Sequence, residues 1–171
     1  MIKKNDLLKV LKKKNIKYTV YDHQPFYTVE DSNEKRGEIN GTHTKNLFLK
    51  NKKNQYVLLS CEEKSVINLK HFSKSIGFSN LSFAKPEYLE KYLGIKPGSV
   101  SPFGLLNDKE NCVNFYLEDI LEKNIEINFH PLLNTSTITL KTKDFIEFMI
   151  ENKKKIHIFS STEGIVLKTY D

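Results

Sequence analysis

Two runs of strand-forming residues, 42–50 and 55–60, are separated by only four polar residues, Asn51-Lys52-Lys53-Asn54. A parallel partner needs a crossover of about a dozen residues or more, so these two strands must pair antiparallel as a hairpin. Helical patterns interleave with strand patterns around it, which makes the sheet mixed and the fold class α/β. Residues 2–14 set Leu7, Leu8 and Leu11 on one stripe, with Asn15 as a C-terminal stop. Ile16, Tyr18 and Val20 then alternate with Lys17, Thr19 and Tyr21, a half-buried strand that ends at Pro25. Thr28-Val29-Glu30-Asp31 has the form of a capping box with Asp in place of Glu, opening a short helix to Arg36 before a turn around Gly37 and Gly41.

Further helices are expected over 68–76 and 86–93, closed by Gly77 and Gly94, and over 143–152 with Thr142 as cap. Strands are expected over 81–84, 113–117, 125–129, 135–140 and 155–159. The tail 160–171 reads either as a terminal strand or as a mobile end. No repeat, linker or low-complexity tract divides the chain, so residues 1–171 are expected to form one domain.

With 39% hydrophobic residues in 171, a packed core is within reach and wholesale disorder is excluded. No apolar run approaches the roughly 18 residues of a membrane-spanning helix. The N-terminus is positively charged but its longest apolar stretches are pairs, so a secretory signal is absent from the pattern and a cytoplasmic location is expected. Cys61 and Cys112 are too far apart for a CxxC pair and read as small buried hydrophobes. The histidines show no HExxH or HxH spacing, so no metal is expected. Residues 1–17 carry seven lysines against Asp6 and hold the whole net charge of +6. Lys9, Lys12 and Lys13 on that first helix are candidate contacts to a nucleic-acid backbone, or simply a solvated helix face.

Three segments could carry chemistry. Lys45, in Thr44-Lys45-Asn46-Leu47-Phe48-Leu49-Lys50, shares a strand face with Leu47 and Leu49. An ammonium group there must reach water, find a partner, or await an anion; the apolar pattern favours the first. In Lys96-Pro97-Gly98-Ser99-Val100-Ser101-Pro102-Phe103-Gly104, two prolines stiffen a loop in which Gly98 lets a ligand approach the main chain, although such residues also make ordinary turns. In Phe129-His130-Pro131-Leu132-Leu133-Asn134-Thr135, Ile125, Ile127 and Phe129 are expected inward, leaving His130 on the other face at a strand end, where it could equally anchor the turn. GxSxG, Walker and GxGxxG motifs are missing, as is a clear catalytic triad, so an enzyme of this sequence would act on an already activated substrate without a covalent nucleophile.

Together, Thr44 to Leu49, Gly98 to Leu105 with Asn107-Asp108, and Phe129 to Leu132 with Asn134-Thr135 resemble the YbaK-type aminoacyl-tRNA deacylases, and most of all their free-standing prolyl-tRNA editing branch. The resemblance runs from about residue 7 to 159. It implies a single α/β domain with a mixed, partly barrel-like central sheet surrounded by helices. It further implies trans-editing of a mischarged tRNA, with Ala-tRNA(Pro) first, Cys-tRNA(Pro) as an alternative, and a noncatalytic tRNA-end-binding module as the rival. The implied catalytic residues are Lys45 on the substrate's 3′ end, Gly98 at the carbonyl region, and His130 in the pocket. Asn46, Ser99, Val100, Ser101, Pro102 and Phe129 would line the substrate site. The resemblance implies no cofactor; the implied partners are the acceptor end of tRNA(Pro) and prolyl-tRNA synthetase. The need is physical: a pocket built for proline cannot strongly reject alanine, since a missing methylene is worth only about 1–3 kcal/mol.

Overall fold

The computed structural model describes residues 1–25 and 39–171. The capping box at 28–31, its helix and the turn at Gly37 lie outside the described residues. Helix α1 (Lys4–Lys13) buries Leu7 and Leu11 and stops where Asn15 takes φ +57°. Strand β1 (Tyr18–Asp22) follows. The hairpin is present: β2 (Thr44–Lys50) and β3 (Tyr56–Glu62) pair antiparallel, with Lys45 opposite Cys61 and Asn46 opposite Ser60. Its loop is held by the buried Asn51, whose Oδ1 accepts from the amides of Lys53 (2.9 Å) and Gln55 (3.1 Å).

Helix α2 (Leu69–Ser75) is capped by Asn68, which accepts from the His71 amide at 3.0 Å. Then come β4 (Ser82–Phe83), α3 (Pro86–Leu93), the 3₁₀ helix Pro102–Asn107, β5 (Val113–Glu118), α4 (Asp119–Lys123), β6 (Glu126–Phe129), β7 (Ser136–Lys141), α5 (Thr142–Glu151), β8 (Ile156–Ser160) and β9 (Ile165–Tyr170). The larger sheet has the order β4-β2-β3-β5-β8-β9, with β3, β5 and β8 parallel; the smaller is antiparallel, β1-β7-β6. Thr42 joins them: its amide donates to Glu126 O at 2.9 Å, and its carbonyl accepts from Asn128 N at 3.0 Å. Hydrogen bonding therefore passes from one sheet to the other, as a mixed, partly closed sheet requires. The main core, including Phe48, Phe103, Phe129 and Phe145, fills the space between the sheets with α1, α3 and α5. A smaller core of Leu49, Val57, Leu59, Phe72 and Phe159 packs α2 on the other face of the larger sheet.

Several expectations are corrected. Ile125 is 82% exposed, because it precedes β6; its carbonyl accepts from Thr142 N at 2.9 Å. Cys112 is exposed in the turn before β5, where the Asp108 carboxylate accepts from the amides of Cys112 and Val113. Thr142 does not cap α5: the chain passes straight from β7 into the helix, Lys141 stands at the cap position, and the Thr142 hydroxyl is buried without a partner among the described residues. The five-residue α4 is too short to register as a period, and the tail forms β9. Among the described residues, no helix is long and apolar enough to cross a membrane.

Candidate active site

Strand alternation decides where the β2 side chains go. Lys45, Leu47 and Leu49 share a face with Cys61, Leu59 and Val57, the face of the smaller core, as the sequence pattern predicts. There the Lys45 ammonium donates to the Ser65 carbonyl. Cys61 lies across the strand pair, its thiol pushed up to about 12 by burial, which the nearby Lys45 charge only partly offsets. It stays a neutral thiol at physiological pH and is no nucleophile.

Asn46 points the other way, toward the main core and the smaller sheet. Its Oδ1 accepts from Ser60 Oγ at 2.5 Å, and its Nδ2 approaches Thr44 Oγ1 at 3.5 Å; Thr44 in turn donates to the Asn128 carbonyl at 2.7 Å. This chain of contacts fixes β2 against β6.

One face of the smaller sheet is polar although largely buried. Asn128 is only 2% exposed: its Oδ1 accepts from Thr139 Oγ1 at 2.6 Å, and its Nδ2 donates to Asn40 O at 2.9 Å and lies 3.3 Å from His43 Nδ1. Gly41 crosses so closely that a Cβ there would stand 2.8 Å from Asn128 Oδ1, and its φ of +90° suits glycine. At the end of β6, His130 Nδ1 is 2.9 Å from the Ser136 carbonyl, which can only accept, so Nδ1 carries the proton. Nε2 is left with a lone pair and no partner among the described residues. Burial holds this imidazole below its usual value, against the Ser136 bond, and it is neutral near pH 7. His23 lies beside it, ring centroids 6.3 Å apart, with Nε2 2.8 Å from Thr137 Oγ1.

The proline-bracketed segment begins as a type II turn. Ser99 N donates to Lys96 O at 3.2 Å, Pro97 occupies the second position, and Gly98 takes φ +88° at an exposed tip. Ser101 then caps the 3₁₀ helix, its Oγ 3.4 Å from Phe103 N. Pro102 and Phe103 are buried, and Phe103 meets Phe129 edge-on at 5.9 Å. Phe129 immediately precedes His130, so this contact ties the Gly98 turn to the histidine's strand. Val100 packs partly buried on the same core, while Ser99 is buried without a side-chain partner among the described residues.

The structure thus joins two of the three expected segments through Phe103 and Phe129, and brings Asn46 to them through Thr44 and Asn128. The Lys45 ammonium is not part of that network. Lys9, Lys12 and Lys13 are exposed on α1, whereas Lys4 and Lys14 are paired with Asp22 (2.8 Å) and Glu151 (2.7 Å). The sequence reading missed His23, His43, Asn128, Thr137 and Thr139. A signal was available: the outward alternants of β6 and β7 include Asn128, Thr137 and Thr139, short uncharged hydrogen-bonders where a solvated face would carry charges. Among the described residues, no group of three His, Cys, Asp or Glu side chains could hold a metal ion.

Residues 23–148 match the family model described as an aminoacyl-tRNA editing domain. The chain is 35% identical over 138 residues to the prolyl-tRNA editing protein ProX of Acetoanaerobium sticklandii, covering 80% of this chain and 84% of that one. It is 30% identical over 152 residues to prolyl-tRNA synthetase associated domain-containing protein 1 of Danio rerio, covering 88% and 83%. A solved structure of a candidate trans-editing enzyme for prolyl-tRNA synthetase shares the fold at a TM-score of 0.65 and 17% identity, over 91% of this chain and 96% of that one.

Proposed function

The chain belongs to the aminoacyl-tRNA editing domain family and is an aminoacyl-tRNA deacylase, and we propose that it removes alanine from mischarged tRNA(Pro) in trans, in the cytoplasm and in partnership with prolyl-tRNA synthetase. The observation that carries the reading is the neutral His130, its Nδ1 fixed on a carbonyl and its Nε2 without a partner among the described residues, on the strand that Phe103 ties to the Gly98 turn.

Water adds to the ester carbonyl, the bond to the terminal ribose oxygen breaks, and that oxygen takes the proton the water gives up, leaving alanine and uncharged tRNA. An aminoacyl ester is labile enough for placement of water and support of one oxyanion to suffice. His130 Nε2 accepts from the ribose hydroxyl that activates the water, and main-chain amides of the Gly98 turn face the developing oxyanion. Asn46, Ser99, Val100, Ser101, Pro102 and Phe129 frame the space that admits alanine. Lys45 exchanges the neutral Ser65 carbonyl for a phosphate of the tRNA 3′ end; at about 4 Å in a partly screened site that attraction is about 4 kcal/mol before desolvation.

The test is release of alanine from Ala-tRNA(Pro), with Pro-tRNA(Pro) and Cys-tRNA(Pro) as competitors and Lys45→Ala as control. Turnover of the alanyl ester, with a loss of about 10²-fold or more in Lys45→Ala, is the expected result. Faster turnover of the cysteinyl ester overturns the alanine assignment, and binding without turnover overturns the catalytic one.

A further inference from the structure

Beyond the site, the open edge of the larger sheet forms a groove of about 1080 Å³ between the β2–β3 loop, α2 and the start of α3. Lys50, Lys52, Lys70, Lys74 and Lys85 line it, and no carboxylate does among the described residues. Residues 18–171 are neutral in total, so this local excess is made by the fold, which gathers lysines from three separate stretches and leaves their compensating acids elsewhere. Lys52, Lys70, Lys74 and Lys85 are exposed and make no ion pair among the described residues. Their charge is available to a partner.

Aromatic surface accompanies the charge. Phe83 is 66% exposed on the two-residue edge strand β4, and Phe78 and Tyr88 complete the wall. The Lys50 ammonium stands 4.4 Å from the centroid of the Tyr88 ring and donates to Asn54 Oδ1 at 2.9 Å. Clustered ammonium groups without acids match a phosphodiester backbone, and an exposed ring beside them offers a base a stacking face. An acidic peptide would explain the lysines but not the exposed Phe83.

We propose that this groove is a second RNA contact, holding the backbone of the acceptor arm while the 3′ end occupies the active site. The proposal rests on the deacylase reading for the position of that end. Lys45 and Lys50 stand at opposite ends of β2, about 17 Å apart at about 3.3 Å per residue. At about 3.4 Å per stacked nucleotide, a strand following β2 reaches the groove about five nucleotides from its terminus.

The experiment compares the full chain with a Lys70→Gln/Lys74→Gln/Lys85→Gln variant on two substrates, an alanylated tRNA(Pro) acceptor minihelix and an alanylated CCA trinucleotide too short to span the distance. The variant is expected to bind the minihelix about 10-fold or more weakly, with the slope of log affinity against log salt reduced by about 3, while turnover of the trinucleotide is unchanged. Phe83→Ala is expected to weaken minihelix binding about 5-fold or more without changing that slope. Unchanged minihelix affinity and slope in the triple variant overturn the groove, and do so even where both substrates are hydrolysed. If the unmodified chain hydrolyses neither substrate yet the triple variant loses minihelix binding as described, the deacylase reading fails and the groove stands.

Discussion

Phe103→Leu tests whether the Gly98 turn is positioned by the core. Phe103 is fully buried and meets the rings of Phe129, Phe145 and Phe148 at 5.9, 5.7 and 6.2 Å. Each such edge contact is worth about 0.5 kcal/mol or more beyond its area, so losing three costs about 1.5 kcal/mol. The smaller side chain forfeits about 1 kcal/mol of burial besides. A loss of about 2.5 kcal/mol leaves a chain of ordinary stability folded. In urea, with m near 2 kcal/mol/M, the midpoint should fall by about 1 M at unchanged m. The same variant lets the turn drift relative to His130, and a displacement of about 1 Å at a reacting centre can cost about 10²-fold. Deacylation kcat should therefore fall about 10-fold or more while the KM for tRNA holds. A variant that loses the expected stability but keeps its kcat refutes the idea that Phe103 sets the geometry of the site.

Two further outcomes are expected. Because burial holds His130 below its usual 6.5, kcat/KM should fall along an acid limb only below that pH, and His130→Gln should abolish the limb. The sign for stability follows: between the folded and unfolded values the unfolded chain binds a proton that the folded one does not, so stability falls as pH drops through that window, and the urea midpoint of His130→Gln should fall less steeply there than the parent's. Neutralising Lys9, Lys12 and Lys13 to Gln should weaken tRNA binding and flatten its salt dependence, measured by titration at several salt concentrations; an unchanged slope assigns those lysines to solubility.

What could be read from the chain was what short-range rules control. The four-residue loop dictated the hairpin, and Gly94 closed α3 with φ +65°. The same rules failed where tertiary contacts overrode them. Thr142 has the chemistry of a cap, yet β7 runs into α5 without a break and its hydroxyl has no partner among the described residues. Cys112 follows the statistics of a buried thiol, but a turn organised by Asp108 holds it outside. Asn128, Thr137 and Thr139 are marked in the sequence only as short uncharged hydrogen-bonders; that the segment Asn40 to Thr42 lies across them is decided by tertiary packing.

Lys45 shows the limit of period-two reasoning most clearly. Alternation correctly put it on a face with Leu47 and Leu49, but a strand has two faces and only the assembled sheets reveal which one meets β6. That side belongs to Asn46, so the residue adjoining the lysine, and not the lysine itself, is wired to the histidine's strand. An ammonium group engaged by a neutral carbonyl is nevertheless well suited to a transient anion. Its desolvation is partly met in the empty state, and exchanging Ser65 O for a phosphate adds attraction between full charges. On this reasoning Lys45→Arg, which keeps the charge but demands a planar fork of acceptors, should retain tRNA affinity better than Lys45→Ala and still lose kcat, measured as a KM-against-kcat split. Equal loss of affinity in both variants would mean that the lysine serves only to hold the Ser65 turn.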